Sequence, residues 1–185
     1  MKNIVVCNQK GGVGKSLVAD ELAFSLERSK LSTSFYDLDG QGGTLHETKE
    51  VESAETSVVD TPGALQRELA DWLSAADAIV VPTRPTSRDI APLMRMRDAI
   101  LARADLARTI LIVNGWNRFR ASRDFMDWLK GTDFTCVVRI PQSELFVQAG
   151  AAGISVVDFA PRSKAARAVL EMCYAVRHVA GLPQE

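Results

Sequence analysis

Two lysines enclose a run of glycines near the amino terminus of this 185-residue chain. The segment Gln9-Lys-Gly-Gly-Val-Gly-Lys-Ser16 follows a short β-branched apolar run, residues 3–7, and precedes apolar residues at helical spacing over 17–26. Glycines at a strand-to-helix junction let backbone N–H groups converge on an anion, because no Cβ obstructs them. The following helix directs its positive end at the same point. The segment therefore predicts a phosphate-binding loop, with Lys15 on the terminal phosphates and the Ser16 hydroxyl on Mg²⁺.

Aspartates at the ends of two predicted strands could supply the carboxylates that a phosphate-binding site needs for a metal ion and for positioning water. Asp37 ends a predicted strand at 33–37, Asp39 follows it two residues later, and Asp60 ends a predicted strand at 56–60. A magnesium–nucleotide site needs a carboxylate near the metal, and hydrolysis needs a group that positions water. Asp37 and Asp39 point to the same side of an extended strand, so both can face the phosphates. The alternative for this pair is a turn in which an Asp side chain accepts from the backbone.

The elements that must position these residues alternate along the chain. Strands are predicted at 3–7, 33–37, 56–60, 78–82, 109–114 and 134–140, with helices near 17–26, 64–75, 87–104, 120–130, 143–150 and 162–180. This alternation predicts an α/β fold, with a mostly parallel central sheet and helices on both faces. The carboxyl ends of the strands then share one edge, where ligands bind in open sheets. We find no internal repeat or linker, and expect a single domain over 1–185.

The composition narrows the class further. Hydrophobic residues make up 46% and charged residues 24%, as in soluble globular proteins, and no apolar run approaches the ~20 residues of a membrane span. Three distant cysteines argue against a disulfide framework or a thiolate metal site. We therefore expect a cytoplasmic protein. Although the net charge is only −1, residues 61–185 carry sixteen Lys and Arg against thirteen Asp and Glu, which allows a basic face.

The phosphate loop departs from the common G-x-x-x-x-G-K-[ST] form, since Gln9 stands where the first glycine would be. Lys10-Gly-Gly-Val-Gly-Lys-Ser16 instead matches K-G-G-x-G-K-[ST] and resembles the deviant Walker A family of P-loop ATPases, which includes ParA and MinD. This resemblance implies Mg²⁺ and ATP as cofactors, slow ATP hydrolysis and a homodimer across the nucleotide. It also implies that Lys10 reaches the partner's phosphates. Within one subunit, Lys10 could instead help to bind phosphate.

The resemblance assigns roles to individual residues. Asp37-Leu-Asp39-Gly-Gln41 is similar to the family's D-x-D-x-Q motif, which implies that Asp39 orients the attacking water and Asp37 supports the metal region. Asp60-Thr-Pro-Gly63 resembles the Walker B and switch II element, with Asp60 near Mg²⁺ and the Gly63 N–H near the γ-phosphate. The implied catalytic residues are Lys10, Lys15 and Asp39, and the implied metal residues are Ser16, Asp37 and Asp60. The phosphate cradle comprises Gly11, Gly12, Val13, Gly14, Lys15, Ser16 and Leu17.

Base recognition is predicted at the ends of the fifth and sixth strands. In the resembling family an asparagine of the Val113-Asn114 element contacts the base, and an Asn amide can both donate to and accept from adenine. The alternative is that Asn114 satisfies backbone groups at the strand end. The loop at Pro141 is expected to flank the adenine.

By the same resemblance, the protein is a short ParA-like partition ATPase that binds nonspecific DNA and is stimulated by a ParB-like or other small centromere-binding partner. Candidate DNA contacts are Arg162, Lys164 and Arg167, or Arg118, Arg120 and Arg123, although each set can equally form a solvated face. Only twenty residues separate Asp39 from Asp60, where typical ParA proteins carry a longer segment.

Two other classes compete with this interpretation. The first is a MinD-like positioning ATPase acting on a membrane or a protein complex. Within the tail 169–181, only Arg177 and His178 could supply basic character, so we do not expect membrane binding. The second is a metabolic ATPase. The absence of a cysteine pair argues against an iron-protein-like member, and no dethiobiotin-synthetase-like motif is recognised.

Overall fold

The computed structural model describes residues 1–39, 43–63 and 67–184. In chain order the elements are β1 (Lys2–Val6), α1 (Lys15–Arg28), β2 (Thr33–Asp37), β3 (Thr56–Asp60), α2 (Arg67–Ala75), β4 (Ala78–Thr83), α3 (Ser87–Leu101), a 3-10 turn (Leu106–Arg108), β5 (Thr109–Trp116), α4 (Arg120–Leu129), β6 (Val137–Pro141), α5 (Leu145–Ala151), α6 (Val156–Phe159) and α7 (Lys164–Ala180).

A six-stranded sheet with the order β2-β3-β1-β4-β5-β6 forms the centre, and every neighbouring pair is parallel. Alternate residues of each strand point to opposite faces, so both faces are buried. Helices α1 and α7 pack on one face, against side chains such as Ile4 and Ile112. Helices α2, α3 and α4 pack on the other, against side chains such as Val5 and Leu111. The predicted parallel α/β architecture is confirmed.

The strand registers bring the predicted site residues to one edge. Val6 and Asp37 both lie opposite Asp60, so β1, β2 and β3 end side by side. The phosphate loop leaves β1 at this point and leads directly into α1. The edge at the carboxyl ends of the strands therefore holds the loop and the aspartates together, as the sequence predicts.

The structure differs from the sequence prediction mainly at element ends. Residues 134–136 precede β6 rather than belonging to it, although Phe134 is buried in the core. Strand β5 continues to Trp116 through an irregularity at Gly115, whose φ is 74°. The short helix Val156–Phe159 was not predicted. Residues 64–66 of the predicted second helix lie outside the described part of the chain.

The shortened segment between Asp39 and Asp60 closes the outer edge of the sheet. Phe35 and Lys49 exchange backbone hydrogen bonds of 2.9 and 2.8 Å in an isolated antiparallel bridge. The Ser34 hydroxyl also accepts from the Val51 N–H at 3.0 Å. The described residues 43–55 contain no helix, and part of this stretch pairs with the exposed edge of β2.

Candidate functional site: a phosphate loop with two lysines

The loop between β1 and α1 has a backbone that only glycine accommodates. Gly12 and Gly14 have φ of 71° and 97°, in the left-handed region. A Cβ on Gly14 would lie 2.1 Å from the Asn114 Nδ2 atom. Gly14 is the N-cap of α1 and provides no side-chain cap, so the first N–H groups of the helix are available to an anion. This arrangement fits the predicted phosphate cradle.

The two lysines of the loop have different surroundings. Lys15 begins α1 and is 6% exposed. Lys10 is one-third exposed, and its Nζ lies 2.8 Å from Oδ1 of Asp89, a residue of the first turn of α3 that is 2% exposed. The Thr86 hydroxyl donates to the other oxygen of Asp89. Lys10 is therefore paired within its own subunit, and a contact with a partner's nucleotide requires this ion pair to open.

Asp60 is fully buried at the end of β3. No hydrogen bond reaches either carboxylate oxygen from the described residues. Burial raises the pKa of Asp60 to about 6, although the nearby Ser16 hydroxyl and Lys15 ammonium oppose this shift. A buried carboxylate with free lone pairs is a group that a cation or its water shell would satisfy. Asp60 therefore fits the predicted Mg²⁺ site.

Asp37 organises the turn that carries Asp39. Its Oδ1 accepts the Asp39 N–H at 2.9 Å, and its Oδ2 accepts the Thr44 hydroxyl at 2.7 Å. This is the turn geometry that the sequence left open as an alternative for the pair. The metal role of Asp37 and the water-orienting role of Asp39 stay predictions, and Gln41 of the same motif lies outside the described residues.

The described residues contain no cluster of three or more acidic, histidine or cysteine side chains able to enclose a metal. Mg²⁺ in nucleotide sites commonly takes one or two protein ligands together with phosphate oxygens and water. Ser16 and Asp60, with Asp37 beside Asp60 in the strand register, match such an open donor set better than a closed protein cage.

A histidine fixes the segment that follows Asp39. The Nδ1 atom of His46 lies 2.7 Å from Oδ1 of Asp20 on α1, and this carboxylate also accepts the backbone N–H groups of Leu45 and His46. Burial disfavours protonation, but the hydrogen bond and charge of Asp20, aided by Glu27, raise the pKa of His46 above its ordinary value. The chain at Leu45 and His46 is thus tied to the helix that begins at the phosphate loop.

The remaining predicted residues lie against the loop or beside it. A Cβ on Gly63 would be 3.4 Å from the Gly11 nitrogen, so this backbone lies directly on the phosphate loop. The Asn114 amide donates to the Val13 carbonyl at 2.9 Å and is buried. This contact is the backbone-satisfying alternative, and contact with the base stays a prediction for Asn114. Pro141 ends β6 opposite Trp116.

Two residues of one candidate basic cluster, Lys164 and Arg167, line a concave surface, whereas Arg162 of the same cluster does not. A groove of about 330 Å³ between β6 and α7, here called the basic groove, is lined by Trp116, Arg139, Pro141, Lys164, Arg167, Ala168 and Glu171. The Arg139 guanidinium carbon lies 5.1 Å from the centroid of the Trp116 ring. In the other cluster, Arg120 pairs with Asp124 at 3.6 Å on an exposed helix face. The groove is the better-formed cationic surface.

Comparison with known proteins settles the family. A family model described as the CobQ/CobB/MinD/ParA nucleotide binding domain matches residues 4–156. The chain belongs to this family. The predicted ParA/MinD relationship is thereby confirmed.

Individual relatives agree with this assignment. The maintenance of carboxysome distribution protein A of Gloeobacter kilaueensis is 34% identical over 133 residues, which cover 58% of this chain and 61% of that protein. The match thus spans less than two thirds of that relative's length. An ATP complex of a Cyanothece McdA variant superposes with a TM-score of 0.79 at 17% identity, covering 100% of this chain and 98% of that chain.

A second solved structure carries magnesium with its nucleotide. The septum site-determining protein MinD of Pyrococcus horikoshii, complexed with Mg-ADP, has a TM-score of 0.75 at 16% identity over 97% of both chains. At these identities the structures show a shared fold. Their ligands agree with the prediction of ATP and Mg²⁺ for this family member.

Sequence reasoning missed three residues that shape the site: Asn8, whose Oδ1 accepts the Lys10 N–H at 3.0 Å, Asp89 and His46. The pattern Thr86-x-x-Asp89 is typical of a helix start and could have marked Asp89, but not its contact with Lys10. Nothing in the local sequence signals the pairing of His46 with α1, because that contact depends on the folded path of the 43–50 segment.

Proposed function

We propose that this family member is an ATP-hydrolysing positioning switch. Mg-ATP binding at the phosphate loop drives dimerisation, the dimer binds nonspecific DNA, and hydrolysis stimulated by a small partner protein releases it. The observation that carries the proposal is the loop itself, which presents Lys10 beside the phosphate cradle under the restraint of one ion pair. Opening that pair makes Lys10 available to a second subunit.

The residues of the site divide the proposed reaction between them. The N–H groups from Gly11 to Leu17 and the Lys15 ammonium bind the phosphates, and this pre-positioned positive charge stabilises the charge that develops during phosphoryl transfer. Ser16 and Asp60 would hold Mg²⁺, which neutralises phosphate charge when bound. Asp39 orients the attacking water. Gly63 lies against the loop, so loss of the γ-phosphate contact would change the position of the chain that follows Asp60.

We propose a protein complex as the cargo, rather than the plasmid or chromosome expected from the motif. The relative from Gloeobacter kilaueensis is named for carboxysome distribution, which supports the positioning alternative raised by the sequence. A ParB-like adaptor remains the type of partner that we expect to stimulate hydrolysis.

Nonspecific DNA is the proposed surface on which the dimer moves. The basic groove supports this choice, because Arg139, Lys164 and Arg167 bring three cations together with one carboxylate, Glu171. Contacts of this kind with phosphates release counterions, so binding weakens steeply with salt. The membrane alternative gains no support from α7, since its apolar side, including Val169, packs against the sheet. Within the described chain, no helix is long and apolar enough to cross a bilayer.

A combined measurement of mass and DNA retention tests the proposal. Wild type should gain mass and bind nonspecific DNA with Mg-ATP but not with Mg-ADP. Asp39→Ala should dimerise and bind DNA with ATP yet fail to release it over time, because the attacking water is no longer oriented. If ATP changes neither mass nor DNA retention in either protein, the switch is refuted. Sedimentation with anionic liposomes in place of DNA would support the membrane alternative.

A further inference from the structure

Where the pairing of β1 with β4 ends, a side chain takes the place of a backbone hydrogen-bond donor. The Cys7 N–H donates to the Val80 carbonyl at 2.9 Å, which is the last rung between these strands. Pro82 lies two residues beyond Val80, and its backbone also faces β1, but proline has no N–H to donate. Its carbonyl accepts the Asn8 Nδ2 at 2.7 Å. The side chain of Asn8 therefore replaces the next rung, just where the chain leaves the sheet to form the phosphate loop.

The other end of the same amide holds the backbone of Lys10. The Lys10 N–H donates to Asn8 Oδ1 at 3.0 Å, a turn in which an asparagine accepts two residues on. Asn8 is 2% exposed, so water does not compete for these bonds. A reversed amide would place an oxygen against the Pro82 carbonyl and an NH₂ group against the Lys10 N–H, so only this orientation satisfies both partners.

Asn8 binds the backbone of β4, and the chain beyond β4 leads to Asp89, the residue that Lys10 contacts. Pro82 lies near the end of β4, and the chain continues from there to Asp89 in the first turn of α3. Asn8 thus links the backbone at Lys10 to the connection that carries Asp89. This link joins the backbone from which the Lys10 side chain starts to the chain that leads to its carboxylate partner.

We propose that Asn8 is a positioning residue that sets the direction of the Lys10 side chain, both toward Asp89 within the subunit and toward a partner's phosphates after the ion pair opens. This inference rests on the proposed dimerisation through Lys10. Asn8 touches neither nucleotide nor metal in the proposed reaction and acts through the backbone of Lys10.

The proposal predicts a split between two binding steps. Asn8→Ala leaves the N–H groups of residues 11–17 in place, so affinity of the monomer for ADP should stay within about threefold. ATP-dependent dimerisation should weaken by about tenfold or more, the loss expected when buried hydrogen bonds that orient a charged group are removed. A serine can still accept from the N–H two residues on, so Asn8→Ser should recover part of the dimerisation.

Asn3 provides a matched control at the opposite end of β1. Its Nδ2 donates to the Ala75 carbonyl at 3.1 Å and its Oδ1 accepts the Ser57 hydroxyl at 2.9 Å, so Asn3→Ala also removes two side-chain hydrogen bonds from this strand. Asn3 lies at the amino-terminal end of β1, away from the phosphate loop, so neither ADP affinity nor dimerisation should change in this variant. The comparison separates a general loss of stability from an effect at Lys10.

The experiment measures ADP affinity by calorimetry and the dimer dissociation constant in Mg-ATP by analytical ultracentrifugation, for wild type and the three variants. The proposal is overturned if Asn8→Ala weakens ADP binding as much as dimerisation, if it leaves dimerisation unchanged, or if Asn8→Ser is no better than Asn8→Ala. If Asn8→Ala does not fold, Asn8→Ser against wild type decides the same question. A wild type that stays monomeric in ATP contradicts the proposed function, and this inference with it.

Discussion

Replacing Asp60 with asparagine should stabilise the protein in the absence of metal. Burial raises the pKa of Asp60 from 3.8 to about 6. A carboxyl group whose pKa is raised this far has an ionised form that is less favourable in the folded state by roughly 3 kcal/mol. The cost is absent below about pH 4, grows between pH 4 and 6, and is complete above about pH 6. Asp60→Asn removes the charge and should recover up to this amount near neutral pH.

The assay is thermal unfolding of the nucleotide-free protein in a chelator at pH 7.5 and at pH 4.5. At about 2–4 °C per kcal/mol for a domain of this size, the gain should be up to roughly 6–12 °C at pH 7.5 and much smaller at pH 4.5. The same variant should lose the dependence of nucleotide binding on Mg²⁺, because the carboxylate that fits the cation is gone. In the wild type, this Mg²⁺ dependence should weaken as the pH falls below about 6.

Asp77→Asn is the control of opposite sign. Burial opposes ionisation of Asp77, but the hydrogen bonds from Lys2, at 2.9 Å, and from the Asn3 N–H hold the pKa of this carboxyl below its ordinary value. Its contribution to stability is present at neutral pH and lost on acidification, so Asp77→Asn should not raise the melting temperature. A lower melting temperature of Asp60→Asn at pH 7.5, or an equal rise at both pH values, would contradict a buried, unfavourable charge at Asp60.

Three further predictions address the lysine, the loop and the groove. Asp89→Asn removes the ionic partner of Lys10 and should tighten ATP-dependent dimerisation by about tenfold. If ultracentrifugation finds weaker association instead, this ion pair does not restrain Lys10. Gly14→Ala should abolish nucleotide binding, because the new Cβ meets the asparagine amide behind the loop; calorimetry showing unchanged ATP affinity would contradict the geometry. Neutralising Lys164 and Arg167 should weaken DNA binding and reduce the slope of log affinity against log salt by about two, whereas an unchanged slope in filter binding would place DNA elsewhere.

Much of the fold could be predicted from the sequence because its parallel strands are short, apolar and buried on both faces. Five of the six predicted strand segments coincide with observed strands to within two residues at each end. The sixth strand is predicted to begin at Phe134, three residues before β6 begins. Phe134 is apolar because it packs in the core, and it takes no part in strand pairing. Helix α6 has four residues, too few for a helical period to be detected in the sequence.

Residues of the candidate site could be predicted where the neighbouring sequence determines their position. They could not be predicted where contacts between distant parts of the chain determine it. The glycines, Lys15 and Asp60 are placed by the strand–loop–helix sequence itself. The pairing of Lys10 with Asp89, by contrast, joins residues from separate βα units, and spacing along the chain carries no information about it. For Asn114, the choice between base and backbone contacts depends on how closely β5 approaches the loop, which is a property of the folded sheet.

Lys10 is proposed to make the phosphate loop a dimerisation switch, and light-scattering mass with Mg-ATP tests this role most directly. Wild type should move from 20.2 kDa to twice that mass on addition of ATP. Lys10→Ala should bind ATP but remain at the monomer mass, whereas Lys15→Ala should fail to bind ATP at all. A Lys10→Ala protein that dimerises with ATP as readily as wild type would contradict the account.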